Sequence, residues 1–593
     1  MKSRISAIAL GVLATSFCIP VVLALSLLTT ASAVAAPADM RDIKTGFTIP
    51  DEGYCDQPYV VITKDGNWLC TLTTGIGHEG QRGQHVVATI SADCGKTWGP
   101  PIDIEPSTGP EASWVVPLVV PSGRVYAFYT YNGDRIDTLP GSEKKIRADT
   151  LGWYCYKYSD DNGRTWSAER YRLPMRVTAC DRANNWHGKV QIFWGIDKPK
   201  VNNGVVTFAF TKLGRYMLEK GEGWLHQSDN LLAESDLSKI RWRLLPDGEH
   251  GVRLPQFGST QEEHNHVPLD ENGLYLVYRT TTGYPVHCYS NDSGRTWSKP
   301  EYMTYTPGGR TIKTPRACPK LWRCKNGKYL LWFHNHSGQS YVGRNPVWIS
   351  GGEVRDGKMH WSQPEILLYH NNPNERGMSY PDLIEQDGRY WVTETQKTVA
   401  RVHSIDTTLL EGLWRQGEDQ TVADKGLVLD LTAAELAANE VRLPDNLSLV
   451  DDLTLDVWLK LDSVDSGQML LDSRDDAGHG VTLSTVEGGA VRIELADGKT
   501  TAAWQSDPGS TVAGKLQHVV AIVDAGPKII SFVINGQLCD GGEHRQFGWG
   551  RFEAALRQLG SGPVRAETAV QHLRVYNRYL RTSEAVANHR AGL

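Results

Sequence analysis

The chain has 593 residues, enough for two or more domains, each with a core of its own. Charge is nearly balanced, 62 Lys plus Arg against 68 Asp plus Glu, which removes any bulk attraction to nucleic acid or an anionic membrane, so recognition must come from local constellations. Nineteen tryptophans beside 58 glycines suit a β-rich fold, with most indoles serving as core packing and some available to stack on sugar rings.

The first segment reads as an address. Basic MKSR precedes an uncharged, largely apolar run from Ile5 that ends in small residues of the A-x-A type, so an export signal is expected over 1–36. The run is long for such a signal, which keeps an uncleaved membrane anchor as the alternative; Phe17 ahead of Cys18 argues against a lipoprotein cysteine. Cleavage would leave nine of the ten cysteines, an odd number, so at least one thiol is expected free or paired between chains.

From about residue 40 to 410 one turn recurs: SADCGKTWG from Ser91, SDDNGRTWS from Ser159 and SNDSGRTWS from Ser290, with weaker relatives around Trp242 and Trp361. The spacing of about 55–76 residues, filled by short alternating segments such as RVYAFYTY and GLYLVYRT, predicts propeller blades built from four-stranded sheets, roughly six of them. The turns resemble the Asp-box of the sialidase (neuraminidase) superfamily. Physically the box is a staple: the Asp carboxylate accepts backbone N–H groups, Gly takes a positive φ and Trp packs between sheets. Asp93, Asp161 and Asp292 are therefore expected to be structural, with Trp98, Trp166 and Trp297 buried.

After a linker over 411–424 the pattern changes to LTLDVWLKLD, GKLQHVVAIVDAG, KIISFVINGQL and LRVYNRYL. Together these resemble a laminin G-like, concanavalin A-like jelly roll over 425–593, either a glycan-binding module or an add-on that packs against the propeller. A chain ending near Gly412 is expected to fold alone; insolubility would mean that the jelly roll covers propeller surface.

Three segments resemble sialidase site motifs in the family's chain order. EEHNHVPLDENGLYLVYR implies Glu263 as catalytic carboxylate and Arg279 as a substrate-binding arginine; GRNPVWIS implies Arg344 as another; MSYPDLIEQDGRYWVTE implies Tyr380 as nucleophile and Glu394 as the brace of an arginine. A neutral phenol relayed by a Glu base suits a sugar whose anomeric carbon bears a carboxylate, because a carboxylate nucleophile would approach against like charge.

The sequence also departs from the family. Where the first arginine of its triad belongs, DQPYVVI places Asp56, and the loop before the first Asp-box holds no Asp, offering Glu79, His85 and His78 as acid candidates and Arg82 as a replacement cation. The implied function is an exported exo-α-sialidase-type glycosidase for terminal acidic sugars. Two alternatives stand beside it: a uronic-acid glycosidase or lyase using a histidine of the 78–85 loop, and an inactive glycan-binding protein. The two HNH stretches, at 264–266 and 334–336, lack a third ligand at metal spacing, so no metal or cofactor is implied; the partner is a glycan, with no nucleic acid and no membrane span after cleavage.

Overall fold

The computed structural model describes residues 38–593 apart from 376, 439, 444–451, 554, 557, 558 and 561; the expected export signal lies outside them. Asp39–Leu593 form one compact unit. No helix of the described residues is long and apolar enough to cross a membrane.

Six antiparallel sheets of four or five strands come first. Their leading strands include Tyr54–Ile62 (sheet one), Ala112–Val119 (two), Gln261–Pro268 (four), Lys320–Arg323 (five) and Ser379–Gln386 (six); sheet three is built on Val205–Arg215 and Glu219–Ser228. The strands are rich in β-branched and aromatic residues, and many are buried end to end, as Val125–Tyr131 is, because each sheet is covered on both faces. The covering is reciprocal. Separate apolar clusters join one to two (Leu69 with Ala127), two to three (Phe128 with Phe208), three to four (Leu225 with Leu276), four to five (Val277 with Leu331), five to six (Leu330 with Val392) and six back to one (Trp391 with Trp68). The ring is a propeller, and sheet six takes its outer strand, Phe47–Ile49, from the start of the chain, paired to Ala400–Ile405.

The repeated turns are built as staples. In each, the Asp accepts the backbone N–H and hydroxyl of the following Thr, the Ser hydroxyl bonds the same carboxylate, and a Gly with φ between 80° and 90° lets its N–H reach that Ser. Trp98, Trp166 and Trp297 are half-buried, not buried as expected: they cap the edge of the inter-sheet clusters, and Trp98 and Trp297 return their indole N–H to a carbonyl of their own turn. In sheet three Asn230 stands where the Asp would, accepting the Arg241 N–H across a long insertion that ends at Trp242.

The C-terminal domain is two antiparallel sheets. A seven-stranded one, containing Leu453–Lys460, Leu516–Asp524, Ile529–Ile534 and Val570–Tyr576, faces a six-stranded one containing His479–Val486 and Ala490–Asp497 across an apolar core. The other face of the larger sheet is also apolar. Val520, Ile522, Val533, Leu538 and Trp549 share one cluster with Tyr275, Leu331 and Trp348 of sheets four and five. The expected independence of a chain ending near Gly412 is not what this packing supports, since that cut would strip a common core. All nine cysteines among the described residues are free thiols, eight of them buried.

Candidate functional site

Four leading strands break register at the same level: between Asp56 and Tyr59, Ser113 and Val116, Glu262 and Asn265, and Ser379 and Asp382. The residue inside each break has a positive φ without being glycine: Gln57 52°, Trp114 62°, Glu263 59° and Tyr380 47°. A bulge re-aims the side chain it carries, and non-glycine residues in this region hold strain that the surrounding ring must sustain. By this device the ring turns Glu263 and Tyr380 toward each other from sheets four and six.

Above them lies a cavity of about 800 Å³ whose wall includes Tyr380, Arg279, Arg316, Arg344, Trp194, Glu79, Arg147 and Lys397. The Tyr380 hydroxyl donates to Glu263 Oε1 at 2.8 Å, and Arg279 Nη1 lies 2.7 Å from the same oxygen. Glu262 fixes Arg279 through Nη2 at 2.5 Å and also receives Arg316 at 2.7 Å. Burial raises the Glu263 carboxyl above its ordinary value despite Arg279 and Arg344, which makes its carboxylate a stronger proton acceptor. Burial, with Glu263 adding to it, pushes the Tyr380 phenol well above 10, so that hydroxyl is neutral until its proton is taken.

Arg344 is placed differently from its neighbours. Its Nη1 donates to Ser379 Oγ (2.6 Å) and its Nη2 to the Arg316 carbonyl (2.8 Å), with no carboxylate on it among the described residues. Its Nε, Glu263 Oε2 and the Trp194 indole N–H are buried without a partner among the described residues. Unmet polar groups gathered around one cavity call for a partner.

Asp56 does not face the cavity as a bare anion. It is fully buried and accepts from the Gln57 N–H (2.9 Å), the Tyr54 hydroxyl (3.0 Å) and Lys397 Nζ (2.5 Å). Lys397, at φ 71°, is what the cavity meets; its ammonium lies 4.2 Å over the Tyr380 ring and 3.4 Å from Glu79 Oε2. Arg147 bonds the other Glu79 oxygen at 2.7 Å and is itself gripped by Asp149. Burial would raise the Glu79 carboxyl, but Lys397 and Arg147 outweigh it and hold it at about 2, so at neutral pH it is a carboxylate and not the acid expected of it.

Four expected site residues lie elsewhere. Arg82 is a surface side chain, 79% exposed and paired with Asp137, because its loop turns outward past Glu79. His85 points away from the cavity, its ring between the Glu105 carbonyl and Glu52 on the third strand of sheet one; His78 does not line the cavity either. Glu394, on the second strand of sheet six, braces Arg401 (3.5 Å) and His403 (3.4 Å) and no cavity arginine; Ser379 and Glu262 do that work. Arg147, Arg316 and Lys397 escaped the sequence reading, since a lone cation in a loop carries no spacing that separates it from rim charge.

A family model described as a BNR repeat-like domain matches residues 111–392, and one described as the concanavalin A-like lectin/glucanases superfamily matches 436–586. No curated protein matches. Among solved structures, a Trypanosoma rangeli sialidase in a covalent-intermediate complex is similar at 13% identity over 93% of this chain and 96% of its own, TM-score 0.43. A Dyadobacter fermentans protein of unknown function is similar at 15% over 61% and 97%, TM-score 0.45. A Hadza microbial sialidase is similar at 17% over 60% of this chain, which spans 66% of it, TM-score 0.43.

Proposed function

We propose that this chain, a BNR repeat-like propeller joined to a concanavalin A-like domain, is an exported glycoside hydrolase of exo-α-sialidase type that releases terminal acidic sugars from glycans. The observation that carries the reading is the buried 2.8 Å bond from Tyr380 to Glu263, turned into place by two matching bulges. As the Tyr380 oxygen bonds the anomeric carbon, its proton passes to Glu263 and the glycosidic C–O bond breaks, the departing oxygen leaving as an anion; Glu79 then draws a proton from the water that attacks the anomeric carbon, the tyrosine oxygen leaves and takes back its proton from Glu263, and the water's proton ends on the departed oxygen. Arg344, the cavity arginine without a carboxylate, takes the acid group of the sugar, and Lys397 supplies the cation that the first strand lacks.

Glu79, on the cavity wall beside Lys397 and Arg147, is the acid/base candidate. Held ionised by its two cations, it serves an incoming water as base better than it serves a departing alcohol as acid. A histidine-driven reaction on uronic acids has no such support, since neither His78 nor His85 reaches the cavity.

The test is a panel of aryl sialosides, uronides and neutral glycosides with the purified protein. Sialoside turnover that falls by orders of magnitude in Tyr380→Phe, with folding intact, is the expected result. Uronide turnover alone would overturn the choice of sugar, and binding of sialosides with no turnover would make the protein a lectin.

A further inference from the structure

The wall segment Tyr341–Asn345 carries Arg344 and has no core of its own, Tyr341 and Val342 each being 66% exposed. The propeller holds it through the Arg316 N–H on the Ser340 carbonyl (3.0 Å), the Met378 N–H on the Arg344 carbonyl (3.1 Å) and the His370 N–H on Asn345 Oδ1 (3.0 Å), and the C-terminal domain reaches both of its ends. On one side His336 is the node: its Nε2 lies 2.8 Å from the Gly343 carbonyl, while its Nδ1 receives the Gly338 N–H and the Gln546 amide, both at 3.1 Å. Two donors on Nδ1 fix the neutral tautomer with the proton on Nε2, which therefore donates to Gly343. Burial holds the imidazole down at about 4, so this arrangement persists through the neutral range. Phe547 stacks on the ring at 4.6 Å, and the Trp549 indole donates to the Asn335 carbonyl at 3.2 Å. On the other side Arg551 Nη2 donates to the Asn345 carbonyl at 2.8 Å, its Nη1 being anchored on the Pro527 carbonyl.

We propose that the C-terminal domain is part of the anion site: Gln546 and Arg551 are positioning residues that act through His336 and Asn345 to hold Arg344 against the cavity. The inference rests on the reading that Arg344 receives the acid group of the substrate. A clamp on the backbone on either side of the arginine adds to the hold of Ser379 and the Arg316 carbonyl on its guanidinium, and misplacement by an ångström weakens a charge-assisted pair.

The experiment uses the full chain with Gln546→Leu, Arg551→Met, Arg551→Lys and, as a control across the same interface, Arg310→Met. Arg310 bonds the Leu538 carbonyl (2.6 Å), Gln363 (2.8 Å) and Asp540 (3.2 Å), and among the described residues none of these partners lies in 335–345. Steady-state kinetics on an aryl sialoside and hydrogen–deuterium exchange of 337–346 are read together. Gln546→Leu and Arg551→Met should raise KM about tenfold with kcat within about twofold, the signature of lost ground-state binding, and should raise exchange in that segment. Arg551→Lys, which keeps a donor, should recover much of the loss, while Arg310→Met should lower Tm and leave KM and exchange alone.

Unchanged KM and unchanged exchange in both strut variants would overturn the inference, and so would an equal KM rise in Arg310→Met, which would mean general loosening. If Arg551→Met does not fold, Gln546→Leu and Arg551→Lys decide the matter. If the wild type turns over no acidic glycoside, the proposed function fails by itself, and the exchange arm still judges the clamp.

Discussion

At the scale of single residues, the site is an account of which charges are already answered. In the proposed reaction Glu263 must be ionised to accept the tyrosine proton, and its carboxyl is raised, so kcat/KM should be lost as pH falls through a value above the ordinary Glu range near 4.3. A pH–rate profile checks this, and an acid limb at or below that range would contradict it. Because Glu79 is scarce in its protonated form, aryl glycosides should turn over far faster than alkyl glycosides, and Glu79→Gln should slow the release of sugar from the enzyme more than the departure of an aryl group; burst kinetics separate the two steps. Lys397→Met should raise KM for an acidic sugar and leave Asp56 a buried carboxyl without its cation, so a stability loss should accompany the binding loss. The residues brought together at the cavity include four that motif order singled out, Tyr380, Glu263, Arg279 and Arg344, because each sits in a strand whose flanking pattern is distinctive. Lys397 and Arg316 were illegible for the opposite reason: their meaning comes from Asp56 and Glu262, residues distant in the chain.

At the scale of elements, the repeated turns and the bulges contrast. The box is local chemistry, Ser, Asp, Gly and Thr bonding one another within seven residues, and so is readable directly. Asp161→Ala should therefore cost about 1 kcal/mol in urea denaturation, the size of a typical net hydrogen-bond contribution at a partly exposed site, with activity unchanged. A loss of activity with stability intact would make the box functional. The bulges left no trace in composition, because inserting a residue changes the register and not the residue types. Asn230 shows the middle case, in which a box survives an Asp-to-Asn change and a long insertion and only its Trp signals it.

At the scale of the whole molecule, the six sheets and the two-sheet domain were visible as alternating segments, whereas their shared core was not, because sequence does not say which face of an amphipathic strand meets which neighbour. A chain ended at Gly412 should be insoluble, and a soluble, monomeric product would show that the common core is dispensable. Buried histidines add a pH effect. Burial holds His226 and His264 at about 3 and His287 and His336 at about 4, below their unfolded value near 6.5. The folded state therefore binds fewer protons, so this share of stability is whole above pH 6.5 and drains as pH falls toward 4; Tm measured across that window should drop steadily. The join of Phe47–Ile49 to Ala400–Ile405 has a consequence in time. A ribosome releases the first strand long before its partner, so the ring stays open, with an unpaired edge, until Ile405 emerges, and Arg41 waits longer still for Asp524. Such late closure makes for slow folding, because the pairings that lock the ring join residues hundreds of positions apart.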